Sequence, residues 1–174
     1  GRIITDKGIL ILFEAIKEIN IILPNNKFFF NFIGELDKKD ENYEKFLELF
    51  NNIPNVKYHK KIDDIKEKLE FMDCVILPSK REGMPRSLLE ASALGLPIIA
   101  SNVAGCKHII EDNKNGLLFN DLDYNNLSKK IIFFYKMNYN EKLNLILNAR
   151  DKIEKEYNVK NIIRIYREAL MKSE

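Results

Sequence analysis

The stretch that decides the fold is PSKREGMPRSLLEA, residues 78–91, which stands between two apolar runs. Residues 73–77 before it predict a buried strand, and Pro85 opens a helix that runs to Ala93 and ends at Gly95. The next strand is predicted at 97–101. A strand, a glycine-containing loop and a helix in this order belong to a βαβ unit, whose loop lies where an α/β sheet binds its ligands.

The same alternation extends in both directions along the chain. Further strands are predicted at 27–33, 55–58 and 116–119, and helices at 9–19 (with Asp6 as its cap), 41–50, 63–71, 124–137, 141–157 and 160–171. The strands are continuous apolar runs, which is typical of parallel strands buried on both faces. The sequence therefore predicts an α/β fold with a doubly wound, Rossmann-like parallel sheet and helices on both faces.

The first residues read as the end of a strand, which suggests a fragment of a longer polypeptide. A net charge of +2, from 28 basic and 26 acidic side chains, gives no electrostatic case for nucleic acid as a partner. No apolar run is long enough to cross a bilayer, and no signal peptide is recognisable. Cys74, in a strand, and Cys106, expected in a loop, are too few for a disulfide scaffold. These features favour a reduced, cytoplasmic domain.

Two glutamates in the deciding stretch, Glu82 and Glu90, are the candidate ligand-binding residues. The free N–H groups at the start of its helix form a ready anion site, and Glu82 lies in the loop just before it. Glu90 lies about one turn inside the helix and leans back toward its start, so a phosphate there would leave a ribose within its reach. The alternative is that Glu82 only interacts favourably with the helix dipole and that Glu90 is a solvated helix residue. Because Glu90 is a lone carboxylate in a mostly apolar helix, we expect it to need a partner.

Several motifs resemble the C-terminal, donor-binding half of the retaining group 1 glycosyltransferases, enzymes of the GT-B fold. The matching residues are Ser79-x-x-Glu82-Gly83, Glu90-Ala91-x-Ala93-x-Gly95-x-Pro97, Ala104-Gly105 and the opening Gly1-Arg2 with Lys7-Gly8. The resemblance covers essentially all of residues 1–174 as one nucleotide-sugar-binding domain. It implies that residues 158–174 form a C-terminal helix that would pack toward an N-terminal domain missing from this chain. His108 departs from the pattern, since relatives usually have a glutamate there.

The resemblance also implies roles for individual residues. Arg2 and Lys7 would neutralise the donor diphosphate, Glu82 would bind hydroxyls of the transferred sugar, and Glu90 would accept hydrogen bonds from the ribose hydroxyls. The rest of the donor site would comprise Gly34, Lys61, Ile62, Gly83, Met84, Pro85 and Arg86. No metal or other cofactor is expected, because fixed cations can stabilise the departing diphosphate. The acid-x-acid pattern of residues 121–123 is interpreted as a helix cap.

The implied activity is retaining transfer of a hexose or N-acetylhexosamine from a nucleotide-diphosphate sugar, with UDP as the favoured nucleotide. The expected acceptor is a glycan or lipid-linked molecule in bacterial surface polysaccharide or oligosaccharide synthesis. A lipid-linked acceptor would place the full-length protein peripherally on the inner face of the membrane. The fragment itself is expected to bind nucleotide without turnover.

Two alternatives stay open. The chain could be a non-catalytic nucleotide-binding module, or a nucleotide-sugar epimerase of the same overall fold. Epimerases lack the glutamate pair, so the sequence disfavours that class. The Gly-x-Gly-x-x-Gly fingerprint is absent, which argues against a dehydrogenase that uses NAD.

Overall fold

Short parallel strands alternate with helices throughout the computed structural model, which describes residues 1–25, 27–60, 62, 64–120, 122–158, 161, 163, 167, 168, 170 and 171. The strands are β1 (Arg2–Ile3), β2 (Phe30–Ile33), β3 (Glu35–Leu36), β4 (Val56–His59), β5 (Val75–Leu77), β6 (Ile98–Ser101) and β7 (Leu117–Phe119). The helices are α1 (Ile9–Ile22), α2 (Tyr43–Asn52), α3 (Ile65–Leu69), α4 (Arg86–Ala93), α5 (Ala104–Ile109), α6 (Tyr124–Lys136) and α7 (Tyr139–Glu156).

Every strand pair is parallel, as predicted. The pairs form three hydrogen-bonded groups, which are β1 with β3, β2 with β4, and β5 with β6 and β7. The described residues therefore do not form one continuous hydrogen-bonded sheet, since β2 and β5 share no ladder. The predicted fold class, an α/β Rossmann-like arrangement of parallel strands, is confirmed.

Helices cover both faces of the strands. Ile98 and Ala100 of β6 pack into a cluster with α4 and α5, whereas Ile99 between them packs into the cluster of α1, α2 and α6. Alternate residues of a strand point to opposite faces, so both faces of β6 are buried. All four residues of β6 are buried. The prediction of helices on both faces is confirmed.

Two local predictions were wrong. Cys106 lies in helix α5 rather than in a loop, and it is fully buried. Asp6 does not cap α1, because it lies in a short 3-10 turn at Thr5–Lys7 and Gly8 occupies the cap position. A left-handed conformation at Gly8, with φ of +67°, separates that turn from the helix.

Element ends differ by a few residues elsewhere. The strand predicted at 27–33 begins at Phe30, and the helix predicted at 63–71 is confined to Ile65–Leu69. Most of the predicted C-terminal helix at 158–174 lies outside the described residues. No helix among the described residues is both long and apolar enough to span a bilayer.

Candidate functional site

A cleft of about 1520 Å³ opens where the chain leaves β1, β2 and β5. Its wall includes nine of the residues predicted from the sequence, namely Arg2, Lys7, Gly34, Ile62, Glu82, Met84, Pro85, Arg86 and Glu90. Gly83 lies in the same loop but not on this wall, and Lys61 lies outside the described residues. Side chains far apart in the sequence thus meet at the carboxyl ends of parallel strands, where α/β proteins bind ligands.

Lys7 and Glu82 form an ion pair at the centre of this group. The Lys7 ammonium donates to Glu82 Oε1 at 2.6 Å, and the Glu82 side chain is only 11% exposed. The 3-10 turn after β1 delivers the lysine, and the loop after β5 delivers the glutamate. The sequence predicts one role for each residue but not this contact between them.

Ser79 is a site residue to which the sequence analysis assigned no role. Its buried hydroxyl donates to Glu82 Oε1 at 2.7 Å, while its carbonyl accepts a hydrogen bond from the Ser101 hydroxyl at 2.7 Å. One oxygen of the Glu82 carboxylate is therefore fixed from two sides, by Lys7 and Ser79. The Ser-x-x-Glu spacing of Ser79 and Glu82 is the signal that could have found it, because at helix starts a serine and a glutamate so spaced lie close enough to bond each other's backbone N–H groups.

Glu90 lies on α4 on the side that faces the cleft. Its neighbours Leu88 and Ala91 are fully buried, but Glu90 is exposed. The expectation that it needs a partner is therefore not met by a protein group of the described residues, and a ligand as that partner stays a prediction. Among the described residues no hydrogen bond or ion pair engages its side chain, so the carboxylate is available to a ligand.

Arg2 and Gly34 line the part of the cleft wall that β1 and the end of β2 form. Arg2 is largely exposed and its guanidinium lies 3.8 Å from the Asp37 carboxylate, a loose contact. Gly34 links β2 to β3 with φ of +155°, and a Cβ there would lie 1.7 Å from the Gly1 carbonyl oxygen. A side chain at Gly34 would therefore displace the segment that carries Arg2.

Two further glycines allow the close backbone contacts that build the site. A Cβ on Gly8 would lie 1.8 Å from the Pro78 carbonyl oxygen, and one on Gly105 would lie 2.2 Å from the Gly83 oxygen and 2.3 Å from the Glu82 oxygen. A Cβ on Gly83 itself would meet no protein atom within 4 Å. The glycine that the packing of this loop requires is therefore Gly105, on α5.

Polar contacts brace the rim of the cleft. The Arg81 guanidinium donates to Asp6 at 2.7 Å, and this hydrogen bond lowers the pKa of Asp6. The Thr5 hydroxyl donates to Asp40 at 2.6 Å and the Thr5 N–H donates to it at 2.7 Å. Burial acts to raise the pKa of Asp40, but these hydrogen bonds and one from the Asn42 N–H outweigh it, so the pKa is lowered. Both carboxylates hold the turn that presents Lys7.

Neither cysteine is placed for nucleophilic chemistry. Burial raises the pKa of each thiol, Cys74 and Cys106, to about 12, and the Glu82 charge adds to the effect at Cys106. Asp123 caps α6 by accepting from the Asn126 N–H at 2.9 Å, as predicted, while Asp121 lies outside the described residues. In the part of the chain that the structure describes, no three His, Cys, Asp or Glu side chains could together hold a metal ion.

Comparison with known proteins points to one family. Residues 1–152 match the family model described as glycosyl transferases group 1. An Escherichia coli protein, UDP-Gal:alpha-D-GlcNAc-diphosphoundecaprenol alpha-1,3-galactosyltransferase, is 32% identical over 172 residues, which cover 91% of this chain and 41% of that protein.

Two solved structures extend the comparison. HepE from Anabaena in complex with UDP superimposes with a TM-score of 0.87 at 21% identity, over 99% of this chain and 47% of that one. A TarM variant from S. aureus was solved in complex with Fondaparinux, alpha-GlcNAc-glycerol and UDP. It superimposes with a TM-score of 0.83 at 26% identity, over 95% of this chain and 33% of that one. The chain thus spans less than half the length of these proteins.

Proposed function

The chain belongs to the group 1 glycosyl transferases, and from this premise we propose that it is the nucleotide-sugar-binding domain of a retaining glycosyltransferase. The observation that carries the proposal is the grouping of Lys7, Glu82 and Glu90 around one cleft, with the Lys7–Glu82 pair at 2.6 Å. The two carboxylates can bind sugar hydroxyls, and the Lys7 ammonium in the same cleft can bind phosphate. A packing role alone does not explain why the exposed Glu90 lines the same cleft as the half-buried Lys7–Glu82 pair.

Lys7 can bind a diphosphate without leaving Glu82. An ammonium group has three N–H donors, and one of them points to Glu82 Oε1. The pair then places a phosphate oxygen and a sugar hydroxyl on neighbouring atoms of the protein. Arg2 is largely exposed, so its planar fork is free to add a second cation from the other wall.

The start of α4 supplies the remaining positive potential. The first N–H groups of a helix have no intrahelical acceptor, and the helix dipole adds partial positive charge there. Glu90 lies four residues after Arg86, about 6 Å along the helix axis at ~1.5 Å per residue. A diphosphate at the helix start therefore leaves the ribose hydroxyls near the Glu90 carboxylate.

UDP is the nucleotide that we propose, with a hexose or N-acetylhexosamine as the transferred sugar. Support comes from the TarM complex, which contains UDP, and from the Escherichia coli relative, whose name specifies UDP-Gal and a diphosphoundecaprenol acceptor. We extend that acceptor class to the whole protein of which this chain is a domain. Its acceptor would be a glycan or a lipid-linked glycan in bacterial surface polysaccharide synthesis.

Charge stabilisation is the chemical task of the domain in this mechanism. Negative charge develops on the diphosphate as the glycosidic bond breaks, and Arg2, Lys7 and the start of α4 face that charge. We propose that these groups act without a metal ion. In the full-length protein, sugar transfer is therefore expected to continue in EDTA. Loss of activity that Mg²⁺ restores would contradict this part of the proposal.

Calorimetric titration of the domain with UDP, GDP and ADP tests the binding site and the base together. We expect UDP to bind most tightly, and Glu90→Ala to weaken it by roughly 10- to 150-fold, the usual effect of losing a hydrogen bond to a charged group. Glu48→Ala is the matched control, because Glu48 is an exposed helical glutamate on α2, away from the cleft. Equal binding by both variants would contradict the role of Glu90.

Activity of the full-length protein separates this proposal from the remaining alternatives, because sugar transfer to an acceptor would exclude both a non-catalytic module and an epimerase. We expect the 174-residue chain to bind nucleotide and transfer no sugar, since the acceptor would be held by another part of the protein. Transfer catalysed by this chain alone would contradict that division. Interconversion of UDP-sugar epimers by the full-length protein would favour the epimerase alternative.

A further inference from the structure

Two side chains of different rigidity support the Glu82 carboxylate. Lys7 reaches it through a long, flexible side chain that is 32% exposed, and a ligand can compete for its ammonium group. Ser79 is fully buried, and a single rotatable bond carries its hydroxyl. The position of the carboxylate therefore depends most on where the Ser79 backbone lies.

A second buried serine holds the Ser79 backbone. The Ser101 hydroxyl lies 2.7 Å from the Ser79 carbonyl oxygen and 3.1 Å from the Leu77 carbonyl oxygen. A hydroxyl has one proton, so it donates to one of these oxygens at a time, and the shorter contact is to Ser79. Both oxygens belong to the segment in which β5 ends and the loop of Glu82 begins. Ser101 therefore fastens the start of that loop.

Ser101 belongs to a rigid part of the domain. It is the last residue of β6, which pairs with β5 on one side and with β7 on the other, and all four residues of β6 are buried. Because Leu77 pairs with Ala100, Ser101 lies one residue beyond the end of β5, beside the loop. Neither Ser101 nor Ser79 lines the cleft. Any effect of these serines on a ligand therefore passes through Glu82.

We infer that Ser101 is a positioning residue for recognition of the transferred sugar. Its hydroxyl holds the Ser79 carbonyl, and the Ser79 hydroxyl holds Glu82 Oε1. Among the described residues no hydrogen bond engages the second carboxylate oxygen, so sugar hydroxyls can reach it. This inference rests on the proposed function, in which Glu82 binds the sugar and Glu90 binds the ribose. Loss of the Ser101 hydroxyl should therefore weaken binding of the sugar and leave binding of UDP nearly unchanged.

Calorimetry on the 174-residue chain tests the inference with UDP, UDP-galactose, UDP-glucose, UDP-GlcNAc and UDP-GalNAc. The readout is the Kd for UDP divided by the Kd for the UDP-sugar that the wild type binds most tightly. We expect Glu82→Ala to lower this ratio by about tenfold or more, and Ser101→Ala by about 3- to 10-fold, the usual effect of a lost hydrogen bond. The Kd of Ser101→Ala for UDP should stay within about twofold of the wild-type value.

Three further variants separate positioning from packing. Ser101→Thr keeps the hydroxyl and is expected to keep the ratio within about twofold of the wild type. Ser92→Ala is the matched control, because Ser92 is a buried serine on α4 whose hydroxyl has no hydrogen-bond partner among the described residues. Removing that hydroxyl should leave the ratio unchanged. In a Glu82→Ala background, Ser101→Ala should lower the ratio no further.

Each outcome decides the inference. A ratio that falls in Ser101→Ala, and stays at the wild-type value in Ser101→Thr and Ser92→Ala, supports it. An unchanged ratio in Ser101→Ala, an equal loss of affinity for UDP and UDP-sugar, or an equal fall in Ser101→Thr overturns it. So does a further fall in the Glu82→Ala background, or a wild-type ratio that Glu82→Ala does not change.

Failure of the proposed function would show itself differently, since a wild-type chain that binds no UDP contradicts that function and this inference together. Wild-type binding of UDP with an unchanged ratio in Ser101→Ala contradicts this inference alone. If Ser101→Ala does not fold, Ser101→Cys replaces it under the same criteria, because a thiol is similar in size to a hydroxyl and is only a weak donor.

Discussion

At the scale of single residues, Lys7 and Ser79 together hold the Glu82 carboxylate in place. A surface ion pair contributes about 0–1 kcal/mol, but the Lys7–Glu82 pair is half-buried and shares its acceptor oxygen with the Ser79 hydroxyl. The pair also leaves two ammonium donors of Lys7 for a ligand. Its arrangement therefore positions the glutamate and presents the cation at the same time.

Replacing Lys7 tests this double role. Lys7→Met removes the cation, and we expect UDP affinity to fall by roughly 10- to 150-fold, with a smaller loss for uridine because uridine has no phosphate. Calorimetry well below the Tm measures the affinities for UDP and for uridine. Lys45→Met on α2 is the matched control, since Lys45 is exposed and lies away from the cleft. A Lys7→Met variant that binds UDP like the wild type would exclude Lys7 from the diphosphate site.

At the scale of elements, one contact packs a helix against the site and another joins two segments away from it. Helix α5 rests on the loop of Glu82 and Gly83, and the approach is close enough that only glycine fits at position 105. Helix α7 is joined to the segment after α5 by the Glu111 carboxylate, which accepts from Lys114 at 2.7 Å and from Lys152 at 3.0 Å. The first contact shapes the loop, and the second fixes α7.

Gly105→Ala is expected to destabilise the domain. Its Cβ would lie 2.2 Å from a backbone oxygen, so we expect the upper end of the usual overpacking cost, about 3 kcal/mol, against the ~1 kcal/mol that alanine gains in a helix. Urea unfolding should show a net loss of at least about 1 kcal/mol. Gly83→Ala is the control, expected within about 0.5 kcal/mol of wild type because its Cβ meets no protein atom. Equal stability of the two variants would contradict the packing.

Glu111 makes the stability of the α7 contact depend on pH. Hydrogen bonds from Lys114 and Lys152 lower the pKa of Glu111 from 4.5 to about 2. A carboxyl group with a lowered pKa in the folded state stabilises fully above pH 4.5 and loses its contribution as pH falls toward 2. Urea midpoints measured across this range should fall more steeply in wild type than in Glu111→Gln. Parallel curves would show that the contact contributes nothing.

At the scale of the whole molecule, local patterns predict the elements but not how distant elements meet. The apolar runs and the Gly and Pro positions predict most helices and strands, and the deciding stretch places Glu82 and Glu90 correctly on its loop and helix. Helix α5 was missed because it is six residues long and contains a glycine. The Lys7–Glu82 contact joins residues 75 positions apart. Which strands share a ladder likewise depends on how distant parts of the chain are arranged. No local periodicity encodes either of these.

A crystal structure of the domain with UDP bound would locate the diphosphate and the ribose directly. We predict that the diphosphate lies between Lys7 and the start of α4, and that the ribose hydroxyls donate to Glu90. We also predict that the Ser79–Glu82 hydrogen bond persists in the complex. UDP bound elsewhere on the domain, or bound in the cleft without contact to Lys7 and Glu90, would contradict this placement.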